Sequence, residues 1–201
     1  MLNLKFPAIL AVLCIFWQSP TLSAAPSQPQ RHSHERVYLL RGLLNVFSLG
    51  MDQLGNELRQ RNVEAVVGNH TLSGLYANEA IADCKSGQIS SIVIVGHSLG
   101  ASAAVSMAEQ LRQAGVRVAL IVTVDPVTET VVPSNVQILK NFYFSNGVGR
   151  AVQRAPDFRG SLQNVDMKAD TQLGHVSLAN SEMLHRQVLG YVRAAAGSRC
   201  R

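Results

Sequence analysis

The chain has 201 residues, 47% of them hydrophobic and 15% charged. That is enough apolar matter for the core of one domain and too little charge for a disordered chain. Three cysteines are too few for a dense disulfide scaffold or a four-cysteine zinc cluster, and a net charge of +5 without a run of Lys or Arg leaves no footprint of nucleic-acid binding.

The first residues differ from the rest. Lys5 precedes a nearly unbroken apolar run from Phe6 to Trp17, and Pro20, Ser23, Ala24 and Ala25 follow. This order of charge, short apolar stretch and small-residue exit is that of a secretory signal, expected over 1–24. The run falls short of the roughly 20 apolar residues of a membrane span, so no stable span is expected after cleavage; an uncleaved anchor is the alternative. Losing the leader removes Lys5 and Cys14, which takes the charge from +5 to +4 and leaves Cys84 and Cys200. A lone pair in an oxidising compartment is expected to form a disulfide. The expected location is exported, periplasmic or secreted.

Residues 25–36 are polar and contain proline, and read as a flexible lead-in to a domain over 37–201. Val37–Leu44 has the pattern of a buried strand. Met51, Leu54 and Leu58 recur at helical spacing, which predicts a helix over 51–61. Val63–Val67 is a short strand and Leu75–Ala82 a weak helix. Ser91–Val95 is apolar and β-branched, as a central parallel strand should be. A helix is expected over Ala101–Gln113, strands over Val118–Val124, Val136–Phe144 and Leu162–Met167, and a closing helix over Val176–Ala195. Ser145–Gly160 has no clear pattern and reads as a loop that shapes a pocket. Strands alternating with helices predict a three-layer α/β domain, its mostly parallel sheet covered on both faces.

Gly96-His97-Ser98-Leu99-Gly100 lies between the strongest strand and the strongest helix. A G-x-S-x-G in this context is a nucleophile elbow. The turn must lift Ser98 above the sheet, and Cβ groups two residues to either side would collide. The helix that follows aims its N-terminal N–H groups at the place where negative charge develops. Serine needs a base. His32 and His34 lie in the lead-in, His97 lies inside the elbow with poor reach back to Ser98, and His185 is mid-helix; His70 reads as a surface turn residue. His175, in a loop behind Gly174, remains. For the carboxylate that orients the base, Asp125 ends an apolar strand and is preferred; Asp166 and Asp170 are rivals that read as surface residues. The oxyanion hole is expected to combine the N–H of Leu99 with that of Leu43, which follows Gly42 in the loop after the first strand. Gly42, Phe47, Ser48 and His97 are candidates to line the pocket.

The order Arg41-Gly42 loop, GHSLG elbow, Val124-Asp125-Pro126 and Gly174-His175 resembles the α/β-hydrolase superfamily, and more narrowly its small bacterial exported lipase- and thioesterase-like members. The resemblance covers roughly residues 37–195. It implies a minimal α/β-hydrolase fold, with Ser98 as nucleophile, Asp125 as acid and His175 as base. The sequence departs from the pattern in its short length, in Arg41 where many lipases carry His, and in a variant position for the acid. The implied activity is hydrolysis of a carboxylic ester or thioester, small or surface-presented, without cofactor or metal. An acyltransferase or peptidase with the same triad, and a catalytically idle exported binding protein, are the alternatives.

Overall fold

Runs that are apolar at every position become the centre of a sheet, because a strand covered on both faces has no side to turn to water. In the computed structural model, which describes residues 34–43 and 49–201, β1 (Glu35–Arg41), β3 (Ser91–His97) and β4 (Val118–Val124) are buried along nearly their whole length. With β2 (Glu64–Asn69), β6 (Val136–Tyr143) and β8 (Ser161–Asp166) they form a parallel sheet in the order β2-β1-β3-β4-β6-β8. Successive side chains divide between two cores. Tyr38, Leu40, Ile92 and Ile94 meet α2 (Ser73–Ser86) and α3 (Leu99–Gln113). Val37, Leu39, Val93 and Val95 meet α1 (Leu49–Arg59), α4 (His175–Ala179) and α5 (Glu182–Ala195).

Some boundaries differ from the sequence reading. The lead-in ends earlier than expected: Glu35 and Arg36 already belong to β1 and are buried, Arg36 paired with Glu64, Glu79 and Asp83. β1 stops at Arg41 rather than Leu44. The closing helix is two helices, because Ser181 is extended (φ −76°, ψ 133°) and caps α5 by accepting from the Leu184 N–H. His175 therefore opens a helix instead of standing in a loop before one. The unpatterned stretch includes β7 (Gln153–Arg154), paired with β5 (Val131–Val132). The leader, most of the lead-in, Phe47 and Ser48 lie outside the described residues. No helix among the described residues is long and apolar enough to cross a membrane.

Order β2-β1-β3 means that the chain leaves β1 to one side and returns on the other. In an open α/β sheet the crevice forms at such a reversal, beyond the carboxyl ends of the strands. Here those ends are Arg41-Gly42-Leu43 and His97-Ser98. The other edge of the sheet is closed by the C-terminus: Cys84 and Cys200 are disulfide-bonded, and the Cys200 backbone donates to Ser90 O at 2.8 Å and accepts from Arg117 N at 2.9 Å. The bridge spans 116 residues, so it restricts the unfolded chain strongly. Cys200→Ser is expected to cost about 2–5 kcal/mol, read from urea-unfolding midpoints.

Glu35 sits at the same edge, 7% exposed, and its Oε2 has no hydrogen-bond partner among the described residues. Burial pushes its carboxyl from an ordinary value near 4.5 up to about 7. The folded chain thus holds this proton where the unfolded chain has lost it, and stability falls as pH rises across that window. Glu35→Gln is expected to raise the melting temperature at about pH 8, with the gain shrinking towards zero below about pH 4.5.

Candidate active site

The elbow is built by what it has no room for. A Cβ on Gly100 would lie 2.0 Å from the Leu40 carbonyl oxygen, and one on Gly96 would lie 2.1 Å from the Gly100 oxygen. Glycine at both positions lets α3 begin directly against the end of β1. Between them Ser98 takes φ 59° and ψ −122°, a conformation that costs a non-glycine residue on the order of 1–3 kcal/mol. The turn is held by a hydrogen bond from Ser98 N to Val124 O at 2.9 Å. Leu99 is the first residue of α3, where backbone N–H groups have no partner within the helix.

Asp125 follows β4 directly and is also forced to a positive φ, 48°. Its N–H donates to Phe142 O at 2.7 Å, and its carboxylate, 1% exposed, accepts from Phe144 N at 2.8 Å through Oδ1. Oδ2 is 2.6 Å from Nδ1 of His175, whose Nε2 is 3.1 Å from the Ser98 hydroxyl. A carboxylate can only accept, so Nδ1 carries the proton and Nε2 is left to accept from serine. Residues 98, 125 and 175 are thus joined by one chain of hydrogen bonds. Asp166 is elsewhere, accepting from the Ser145 N–H and hydroxyl, and Asp170 organises the turn before His175 by accepting from Gln172 N and Leu173 N.

The remaining expected residues divide. Gly42 is buried directly after β1 ends, and Leu43 follows with its side chain 58% exposed. His97 does not line an open pocket: it is 1% exposed, and its Nε2 donates to the backbone carbonyl of His175 at 2.8 Å. Burial above all lowers its pKa to about 4, against the hydrogen bond to the His175 carbonyl, which raises it. His70 lies in a 3-10 turn after β2, and His185 is buried in α5.

The parts played by two groups of residues escaped the sequence reading. Arg41, which stands where many lipases have His, pairs with Asp52 of α1 through Nε at 2.7 Å, and so ties together the two flanks of segment 44–48. Gly149 lies against the carboxylate; a Cβ there would be 1.7 Å from Asp125 Oδ1. Its loop is fixed by Asn141 and Asn164, neighbours in register on β6 and β8, which bond Arg150 O and the backbone of Val152. The two asparagines were visible only as polar interruptions of strands.

No family model and no curated protein matches the sequence. In structure the chain is similar to human thioesterase 2, with a TM-score of 0.51 at 10% identity over 81% of this chain and 98% of that one. The fold is that of the α/β-hydrolases. Similarity extends to a thioesterase of prodiginine biosynthesis from Streptomyces coelicolor (TM-score 0.45, 12% identity, 90% of this chain and 97% of that one). It includes a cutinase-like protein from a Cryptococcus species (TM-score 0.45, 15% identity, 82% and 96%). Within this α/β-hydrolase fold no room is left for a side chain between residue 149 and the Asp125 carboxylate. Gly149→Ala is expected to displace it and to cost about 1–3 kcal/mol in chemical denaturation.

Proposed function

We propose that the protein is a serine hydrolase of carboxylic esters or thioesters, with Ser98 as nucleophile, His175 as general base and acid, and Asp125 as the residue that orients and stabilises His175. The observation that carries this reading is the continuous chain from the Ser98 hydroxyl through both nitrogens of His175 to a buried carboxylate, at 3.1 and 2.6 Å. Human thioesterase 2, by its name an enzyme of thioesters, shares the fold.

In the first half-reaction Ser98 Oγ bonds to the carbonyl carbon as its proton passes to His175 Nε2. The electron pair of the carbonyl moves to oxygen, which the N–H groups of Leu99 and Leu43 receive. Support for that pair comes from the approach of α3 to the end of β1 at Gly100 and from the positive end of a 15-residue helix. Collapse expels the alcohol or thiol, which takes the proton from His175. Water then attacks the acyl-enzyme, gives its proton to the same nitrogen, and the acid leaves as Ser98 regains its proton. Asp125 stays ionised and holds the imidazolium.

Large apolar side chains are exposed beyond the carboxyl ends of the strands: Leu43 and Leu49 flank segment 44–48, Leu72 and Leu75 follow β2, Val148 follows β6, and Val176 adjoins His175. Apolar surface at this edge suits an acyl group, small or presented at a surface. We infer export as well; the Cys84–Cys200 bridge fits an oxidising compartment.

The test is hydrolysis of p-nitrophenyl esters and acyl thioesters, with a fluorophosphonate label on the serine. Wild type is expected to turn over and to be labelled at Ser98. Asp125→Asn is expected to lose about 10⁴-fold in kcat, and Ser98→Ala at least as much together with all labelling. Turnover that survives Ser98→Ala, or a wild type silent on the whole panel and unlabelled, overturns the reading.

A further inference from the structure

The base sits on a very short support. α4 has five residues, His175–Ala179, and a helix of that length does not stand by itself in water. Its position must come from what ties its ends. Two imidazoles outside the triad do so. At the head, His97 Nε2 is 2.8 Å from the backbone oxygen of His175. At the tail, His185 Nε2 is 2.9 Å from the backbone oxygen of Ala179. A carbonyl only accepts, so both imidazoles donate from Nε2.

We propose that His97 and His185 are positioning residues that hold α4, and through it the His175 imidazole, from its two ends. This rests on the Ser98–His175–Asp125 reading above and adds to it.

The head tether has a particular geometry. His97 is the last residue of β3 and directly precedes Ser98. The strand that carries the nucleophile therefore reaches back with its neighbouring side chain and grips the backbone of the base. The two imidazole rings lie 4.9 Å apart, tilted by 38°. Deep burial keeps His97 neutral, so it donates without placing a second positive charge beside the imidazolium that forms on His175 during turnover. The tail tether reaches further into the fold. His185 is 2% exposed, and its Nδ1 is 2.9 Å from Glu57 Oε1 of α1. With Nε2 already donating, the Nδ1–carboxylate contact requires a proton held between the two groups. α1 also presses on the same carbonyl: a Cβ on Gly50 would lie 1.9 Å from Ala179 O. The tail of α4 is thus fixed against both α5 and α1. Reacting groups must be held to within a fraction of an ångström, and the distance from His175 to Ser98 is set through these tethers.

The experiment uses the full chain with its disulfide intact and compares His97→Leu, His97→Gln, His185→Leu and His185→Gln. Two quantities are read: kcat and KM for p-nitrophenyl butyrate, and amide hydrogen exchange across residues 175–180. Leucine fills the space without a donor, whereas glutamine returns an N–H near the place of Nε2. The leucine variants are expected to lose about 10- to 100-fold in kcat with KM changed less than about twofold. They are expected to exchange faster across α4. The glutamine variants are expected to recover most of both. His185→Leu strands Glu57 beside an apolar group; if it does not fold, the double variant Glu57→Gln/His185→Leu takes its place. Leucine variants with wild-type kcat and exchange, or glutamine variants as impaired as the leucine ones, overturn the proposal. A wild type that hydrolyses no ester counts against the enzymatic reading alone. The exchange data then still decide the tethers, and unchanged protection in His97→Leu refutes them.

Discussion

Helix α3 starts so close to the end of β1 that no side-chain atom fits between them: a Cβ on Gly100 would stand 2.0 Å from the Leu40 carbonyl. Most of the site follows from that contact. It bends the chain at residue 98 into a conformation that a non-glycine residue avoids. It sets the first turn of a long helix beside the loop that leaves β1. It also fixes where β3 ends, and with it the side chain of His97. Only a backbone held from several sides keeps such strain, and here the hydrogen bond to Val124 and the burial of Gly96 and Ala101 supply the hold.

The same logic recurs at Asp125. A second strained residue stands at the end of the next strand, and its carboxylate is buried. A buried carboxylate without partners is costly, so the surroundings are arranged to satisfy it. Phe144 N–H binds one oxygen and His175 the other. Gly149 then covers the group with bare backbone, on a loop that Asn141 and Asn164 stitch to the sheet. The polar ladder across β4, β6 and β8, which starts at Thr123, is thereby connected to the orientation of the imidazole.

Charges at the rim have a structural part. Arg41, where the resemblance would have suggested histidine, ties the end of β1 to α1 through Asp52. At the opposite edge, Arg36 is buried among three carboxylates, while Oε2 of Glu35 beside it has no hydrogen-bond partner among the described residues. One edge of the sheet thus carries ionic contacts and the disulfide, and the other carries the Ser98–His175–Asp125 hydrogen-bond chain. In a parallel sheet this division follows from strand direction, since every β-to-α connection opens on the same edge.

Much of this was legible in the sequence, for a physical reason: local patterns report local constraints. The apolar runs at 91–95 and 118–124 had to be central strands, and two glycines around Ser98 between a strand and a helix could only make a tight turn. The alternation of elements gave a mostly parallel sheet covered on both faces, while the strand order, and with it the reversal at β1, came only from the structure. What the sequence did not contain was distance between remote segments. That His175 would open a separate helix depended on a cap at Ser181 and on an α1 that presses against Ala179. That His97 would hold the backbone of His175, rather than line a pocket, depended on where a strand 78 residues away in sequence ends. Gly149, Asn141 and Asn164 carry no motif at all; their parts come from touching Asp125 and its loop. Residue pattern determined the elements and the sharp turn, because both arise from interactions along a few residues. Packing alone decided which side chains support the base, because those contacts exist only once the sheet has brought the ends of its strands together.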